Sequence, residues 1–185
     1  MDPEQMQKEM AAFIEFATKS AKVMSPEGIG KGIKFMERGA EPTDIFITTT
    51  AKAGTTWMQQ ICHQLRSGSG DMDFEDIIDV IPHVEIAHDL GTDLDDEQRF
   101  KPRAFKTHLW EPAVAKGGRY IVVVRHPYDL AISLFKFFEG WMFEAGAISL
   151  GFFTDACFLK FGEPDLGGTG LTGAFHHMAS WWPRH

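Results

Sequence analysis

The stretch "FITTTAKAGTTWMQQI", residues 46–61, limits the possible folds more than any other part of the chain. It passes from β-branched residues through a short loop of small residues into a pattern in which Met58, Ile61, Cys62 and Leu65 share one helical face. A strand entering a helix through such a loop turns backbone amides and the positive end of the helix dipole toward one point, which suits an anion. The spacing departs from a nucleotide P-loop, where the lysine follows the last glycine, because Lys52 here precedes Gly54. A phosphoryl-transfer enzyme also needs a carboxylate for Mg²⁺, so a P-loop kinase is the weakest of the readings. The groups on offer to an anion are the Lys52 ammonium and the amides of Ala53, Gly54, Thr55 and Thr56, with Trp57 as a flat surface for a purine. The plain alternative for this stretch is a capped helix beside an exposed lysine and a core tryptophan.

A second strand-to-helix turn follows in "RYIVVVR" and "HPYDLAISLFKFFEGW", with Pro127 at a first helical position. The continuous apolar run is the pattern of a strand buried on both faces. "PRAFKTHL", Pro102 to Leu109, reads as a third short strand. Strands alternating with helices predict an α/β fold, a parallel sheet flanked by helices, whose ligands sit beyond the carboxyl ends of the strands. Lys52, His108 and Arg125 all fall there. Lys106 and His108 lie two apart on a strand and share a face, with Thr107 turned away. A neutral imidazole takes a proton from a hydroxyl near pH 7, and an adjacent lysine stabilises charge on the group under attack. Arg125 by its fork and Ser133 by its hydroxyl suit a second phosphate. Solvent-facing residues at strand ends are the bland reading of each pair.

Composition narrows the class. With 185 residues and 44% apolar content the chain is expected to form one domain over 1–185. A net charge of -8 argues against a nucleic-acid backbone as partner. Cys62 and Cys157 suit interior packing in a reducing compartment. The start "MDPEQMQKEM" is acidic and polar, and no apolar run is long enough to span a bilayer, so a cytoplasmic protein without a membrane partner is expected. Met6, Met10, Phe13, Ile14, Ala17 and Ala21 predict a first amphipathic helix ending near "SPEGIGKG". The acidic stretch from Gly70 to Gln98 reads as surface loops around short helices, and "GGTGLTG", Gly167 to Gly173, as a connection. His63, His83, His88, His176 and His177 show no zinc-site spacing.

"TTTAKAGTTW", "PRAFKTHL" and "VVVRHPYDLAISLFKFF" resemble, in order and spacing, the signature stretches of the sulfotransferases, in particular the cytosolic type that uses 3′-phosphoadenosine 5′-phosphosulfate. The resemblance covers Asp44 to Phe138 and implies that residues 44–138 are the nucleotide-binding core, with weaker echoes in "VIPHVE" and in Trp181 and Trp182. It implies that Lys52 and the amides of Ala53, Gly54, Thr55 and Thr56 hold the donor's 5′-phosphosulfate, with Trp57 against the adenine. It also implies that Arg125 and Ser133 hold the 3′-phosphate. His108 would be the base, assisted by Lys52 and Lys106, with no metal, and the acceptor a small molecule bearing a hydroxyl or amine. His83 stands where relatives carry an aromatic acceptor contact.

The likeness has departures. Thr50, Ala51 and Ala53 replace a family Tyr-Pro and Ser, and Trp110 replaces a proline, without loss of charge. Relatives continue past the double tryptophan into a further strand and an Arg-Lys-Gly loop over the 3′-phosphate. Without them, weaker donor binding is expected, along with exposed apolar surface on "RYIVVVR" that favours self-association. A short sulfotransferase-like domain that binds a nucleotide or a partner without turnover is therefore the alternative to an active enzyme.

Overall fold

A computed structural model of the chain describes residues 2–68, 70–159 and 173–184. The glycine-rich stretch 167–173 lies outside them apart from Gly173. Helix α1 (Pro3–Val23) is capped by Asp2. It ends just before the expected breaker, but that breaker opens a second helix, α2 (Pro26–Glu37), which begins at Pro26 behind Ser25. The Ser25 hydroxyl accepts the Gly28 N–H at 2.9 Å and donates to Asp89 at 2.6 Å, so the cap is tied to a distant loop. The glycines that made this stretch look like a loop serve close approach instead. A Cβ on Gly32 would stand 2.6 Å from the Val84 carbonyl oxygen, and one on Gly28 would stand 2.5 Å from Asp89.

The face buried by α1 also differs from the expected stripe. Met6, Met10 and Ile14 are exposed, while Phe16 is buried. Two contacts fix this rotation. Phe16 meets the rings of Phe138 at 4.8 Å and Phe143 at 5.9 Å, and the buried Glu9 carboxylate accepts from Gln5 at 3.0 Å and the Ser149 hydroxyl at 2.9 Å. An ionised carboxylate must keep those donors once it leaves water, so it outranks the methionines in setting the helix face.

The sheet comprises β1 (Ile45–Thr49), β2 (Ala104–Thr107) and β3 (Arg119–Val123), all parallel, in the order β2-β1-β3. Phe46 pairs in register with Phe105 and Tyr120, and the rings stack at 5.5 and 6.0 Å on one face, where α2 adds Met36. The other face buries Ile47 and Ala104 with Cys62 of helix α3 (Thr55–Ser67). Each large side chain removed from water here contributes about 1.5–3 kcal/mol. At the entry end, the buried Asp44 carboxylate takes both Arg103 donors at 2.9 and 2.6 Å, and its carbonyl accepts the Arg119 N–H at 2.8 Å, which holds the three strand starts level.

Beyond β2 the segment around His83 continues the sheet: Lys106 N–H donates to Pro82 at 2.8 Å, and Val84 N–H donates to Lys106 at 2.9 Å. The short helix α4 (Ile77–Val80) precedes this segment. On the opposite edge the strand is not covered on both faces as its apolar pattern alone suggests, and it shows the exposed apolar surface expected of "RYIVVVR". Among the described residues β3 pairs with β1 alone, and Val122 and Val124 are 38% and 54% exposed. A continuous apolar run records what a strand can tolerate, not what covers it. From β3 the chain enters α5 (Pro127–Trp141), then α6 (Leu150–Phe153) and α7 (Ala174–Trp181). Helices α1, α5 and α6 enclose a phenylalanine-rich core that includes Phe135, Phe143 and Phe153.

Candidate functional site

The loop after β1 turns twice through left-handed backbone, at Lys52 with φ 67° and at Gly54 with φ 117°. Only glycine takes the second value without strain, and it delivers the chain into the first turn of α3. No side chain caps α3, so its opening amides keep their donors free for an outside anion. Thr55 is buried and its hydroxyl meets that of Thr49 at 2.5 Å, whereas Thr56 is exposed and Trp57 is 82% exposed. One expected donor is already used: the buried Ala53 amide closes a turn onto the Thr50 carbonyl at 3.2 Å.

His108 follows β2 and reaches across to β1, where its Nδ1 lies 2.7 Å from the Thr49 carbonyl oxygen. A carbonyl can only accept, so the proton sits on Nδ1 and Nε2 keeps the basic lone pair. Burial, together with the charges of His83 and Lys106, pushes His108 down to about 3, so the imidazole is neutral near pH 7. The fully buried Glu85 accepts the backbone N–H of His108, and its other oxygen lies 3.5 Å from His83 Nε2. Although burial opposes ionisation of Glu85, the facing His83 imidazole and the His108 donor hold its carboxyl below the usual range. His83 is also buried, with its ring edge-on to His108 at 4.9 Å, and it is not among the residues lining the apolar cavity described below.

Lys106 shares this corner. Burial lowers its pKa, and the charge of Lys52 lowers it further against the pull of Glu85 and Asp76. Two lysines that feel each other's charge gain from an anion placed between them. Arg125, just past β3, donates from Nη1 to the Lys52 carbonyl at 3.1 Å, so the guanidinium and the lysine loop meet. Ser133 stands half-buried on α5, one helical turn before Phe137, whose ring lies 4.3 Å from the Lys52 ammonium.

Beside the loop is a cavity of about 410 Å³. Phe13 and Phe16 of α1 and Leu134, Phe138 and Trp141 of α5 supply apolar walls, and Thr50, Ala51 and His108 join it to the anion loop. Phe138 lines this cavity, whereas Phe143, Phe152 and Phe153 belong to the core and Phe74 packs on His63. Cys157 also lines the cavity, where burial raises its thiol to about 12 and keeps it protonated. A larger hollow of about 590 Å³ between α2 and residues 88–95 contains none of the candidate site residues. The sequence reading missed Glu85, the Thr49 carbonyl, Phe137 and the α1 wall. Glu85 had a signal, since it closes the "VIPHVE" stretch.

A sequence description of the family named "Sulfotransferase domain" matches residues 42–185. Human Sulfotransferase 1E1 is 31% identical over 160 residues, covering 78% of this chain and 50% of the relative. "Cytosolic sulfotransferase 1" of Danio rerio is 33% identical over 109 residues, covering 53% of this chain and 36% of the relative. Among solved structures, mouse sulfotransferase SULT7A1 complexed with PAP superposes with a TM-score of 0.56 at 22% identity, over 88% of this chain and 54% of that one. Retinol dehydratase in a complex with retinol and PAP gives 0.60 at 17% identity, over 86% and 56%. The chain thus spans about half the length of the human relative.

Proposed function

The chain belongs to the sulfotransferase family, and on that premise we propose that it transfers a sulfuryl group from 3′-phosphoadenosine 5′-phosphosulfate to a hydroxyl or amine of a small apolar acceptor. The observation that carries the reading is the meeting of Lys52 and Arg125 at one loop beside an apolar cavity into which His108 presents. The residues fit a multiply charged nucleotide: uncapped α3 amides, two lysines and the Arg125 guanidinium gather around one loop, with exposed Trp57 in the first turn of α3. Two complexes with PAP among the structural neighbours support the same donor class.

In this reading His108 Nε2 removes the acceptor's proton while the Nδ1 bond to Thr49 keeps the ring oriented. Glu85 fixes the backbone of residue 108 and balances the charge that the imidazole gains. Lys52 and Lys106 stabilise negative charge on the transferred group and on the leaving oxygen. Sulfuryl transfer needs position and charge balance more than covalent help, so the chain's own residues suffice for these steps. Apolar walls select the acceptor and keep water from the base. We place the protein in the cytoplasm, as the name of the Danio rerio relative does for that protein; no helix among the described residues is long and apolar enough to cross a membrane.

Isothermal titration with adenosine 3′,5′-bisphosphate, followed by transfer of labelled sulfate to 2-naphthol, tests the proposal. Saturable binding with transfer supports it. Binding without transfer establishes a second reading, a nucleotide-binding domain without turnover. Absence of both rejects the two readings together.

A further inference from the structure

Lys52 is held at both ends. Its carbonyl accepts from Arg125 at 3.1 Å, and its ammonium lies 4.3 Å from the centre of the Phe137 ring. That ammonium makes no hydrogen bond or ion pair among the described residues. The ring is itself braced, with Phe138 at 5.4 Å and Trp141 at 5.3 Å, two residues that line the cavity. We infer that Phe137 is a positioning residue for Lys52, an aromatic platform that holds the ammonium at the mouth of the anion loop while leaving its N–H donors unspent.

The physical advantage lies in what the ring does not do. A carboxylate holding Lys52 would neutralise it and compete with any incoming anion. An aromatic face attracts a cation through its quadrupole and accepts no strong N–H bond, so the charge stays available. A free lysine must also give up much of its rotamer freedom when it clamps a ligand, and a lysine already resting on a ring has given up part of it beforehand. Phe137 is 41% exposed, so its ring contributes little to the core and its placement over the lysine is not a by-product of deep packing.

This inference rests on the proposed donor site, and the test separates the two. The dissociation constant of adenosine 3′,5′-bisphosphate is measured by titration calorimetry for the full chain, for Phe137→Leu and Phe137→Tyr, for Lys52→Met, and for the double variant Lys52→Met with Phe137→Leu. Phe137→Met serves as the second non-aromatic variant, and circular dichroism confirms folding of each. Phe137→Leu and Phe137→Met are expected to weaken binding about three- to fivefold, the reach of an exposed cation–π contact, while Phe137→Tyr stays within about twofold. On the Lys52→Met background Phe137→Leu should have no further effect. An equal loss from Phe137→Leu in both backgrounds, or no loss in either, overturns the positioning role. No change from Lys52→Met itself overturns the donor-site reading, and the inference with it.

Discussion

His108 and Thr49 are 59 residues apart in the chain, yet the imidazole Nδ1–H and the Thr49 carbonyl oxygen meet at 2.7 Å. This bond decides the chemistry available at the corner, since it assigns the ring's one proton and leaves Nε2 as an acceptor on a residue that lines the cavity.

His108→Gln should therefore lower sulfuryl transfer to 2-naphthol by about a hundredfold or more, with nucleotide affinity unchanged within about twofold. Because burial holds His108 near 3, the wild-type rate should show no acid limb from this residue between about pH 5 and 8. Parallel loss of binding and turnover would make His108 a structural residue.

Stability should fall on mild acidification. His108 and His177 are pushed down to about 3 and about 4, chiefly by burial, from an ordinary 6.5. Unfolded histidines take up protons below that ordinary value while the native ones stay neutral, so the unfolded state binds more protons and stability present above 6.5 drains away toward 4. Each contributes up to about 1.4 kcal/mol per pH unit within that window. Urea unfolding followed at pH 7 and pH 5 checks it, and an unchanged midpoint contradicts the neutral buried state of both rings.

Two glycines of one helix should respond with opposite sign. Gly32→Ala places a methyl 2.6 Å from the Val84 carbonyl and should destabilise by about 1–3 kcal/mol, because backbone must move. Gly30→Ala meets nothing within 4 Å and should stabilise α2 by about 0.4–1 kcal/mol. Equal effects in chemical denaturation would mean that α2 does not lie against residue 84.

Trp57, at 82% exposed, should matter to the ligand and not to the fold. Trp57→Ala is expected to leave the unfolding midpoint in place and to weaken adenosine 3′,5′-bisphosphate by about 1–2 kcal/mol, the scale of a base stacked on an aromatic ring. A lowered midpoint with intact affinity would assign the indole to packing instead.

What the sequence disclosed follows from how local each signal is. The turn from Thr50 to Thr56 is written in consecutive residues, small ones at the bend and Gly54 at the left-handed position, so the strand-loop-helix turn was legible. Lys106 and His108 share a face by strand alternation alone. Helix α2 was not legible, since Gly28, Gly30 and Gly32 lower helix propensity and the reason for Gly28 and Gly32 lies in residues 84 and 89. The partners of His108 were hidden for the same cause: Glu85 stands 23 residues before it and Thr49 59 before it, and no periodicity links positions so far apart. The rotation of α1 was set by Glu9, a charged residue that a search for apolar stripes discards.

The corner is also a record of how the molecule is assembled. Its crossings join Thr49, the end of β1, to the segment after β2 over 59 residues, and Lys52, in the loop that follows, to the segment after β3 over 73. Contacts of such separation cost loop entropy before they return any. A chain that has formed its helices but not zipped the middle strand to both neighbours displays none of this chemistry. If the proposed donor site holds, a tight nucleotide analogue would accordingly count finished molecules, and its binding stoichiometry would read out folding yield.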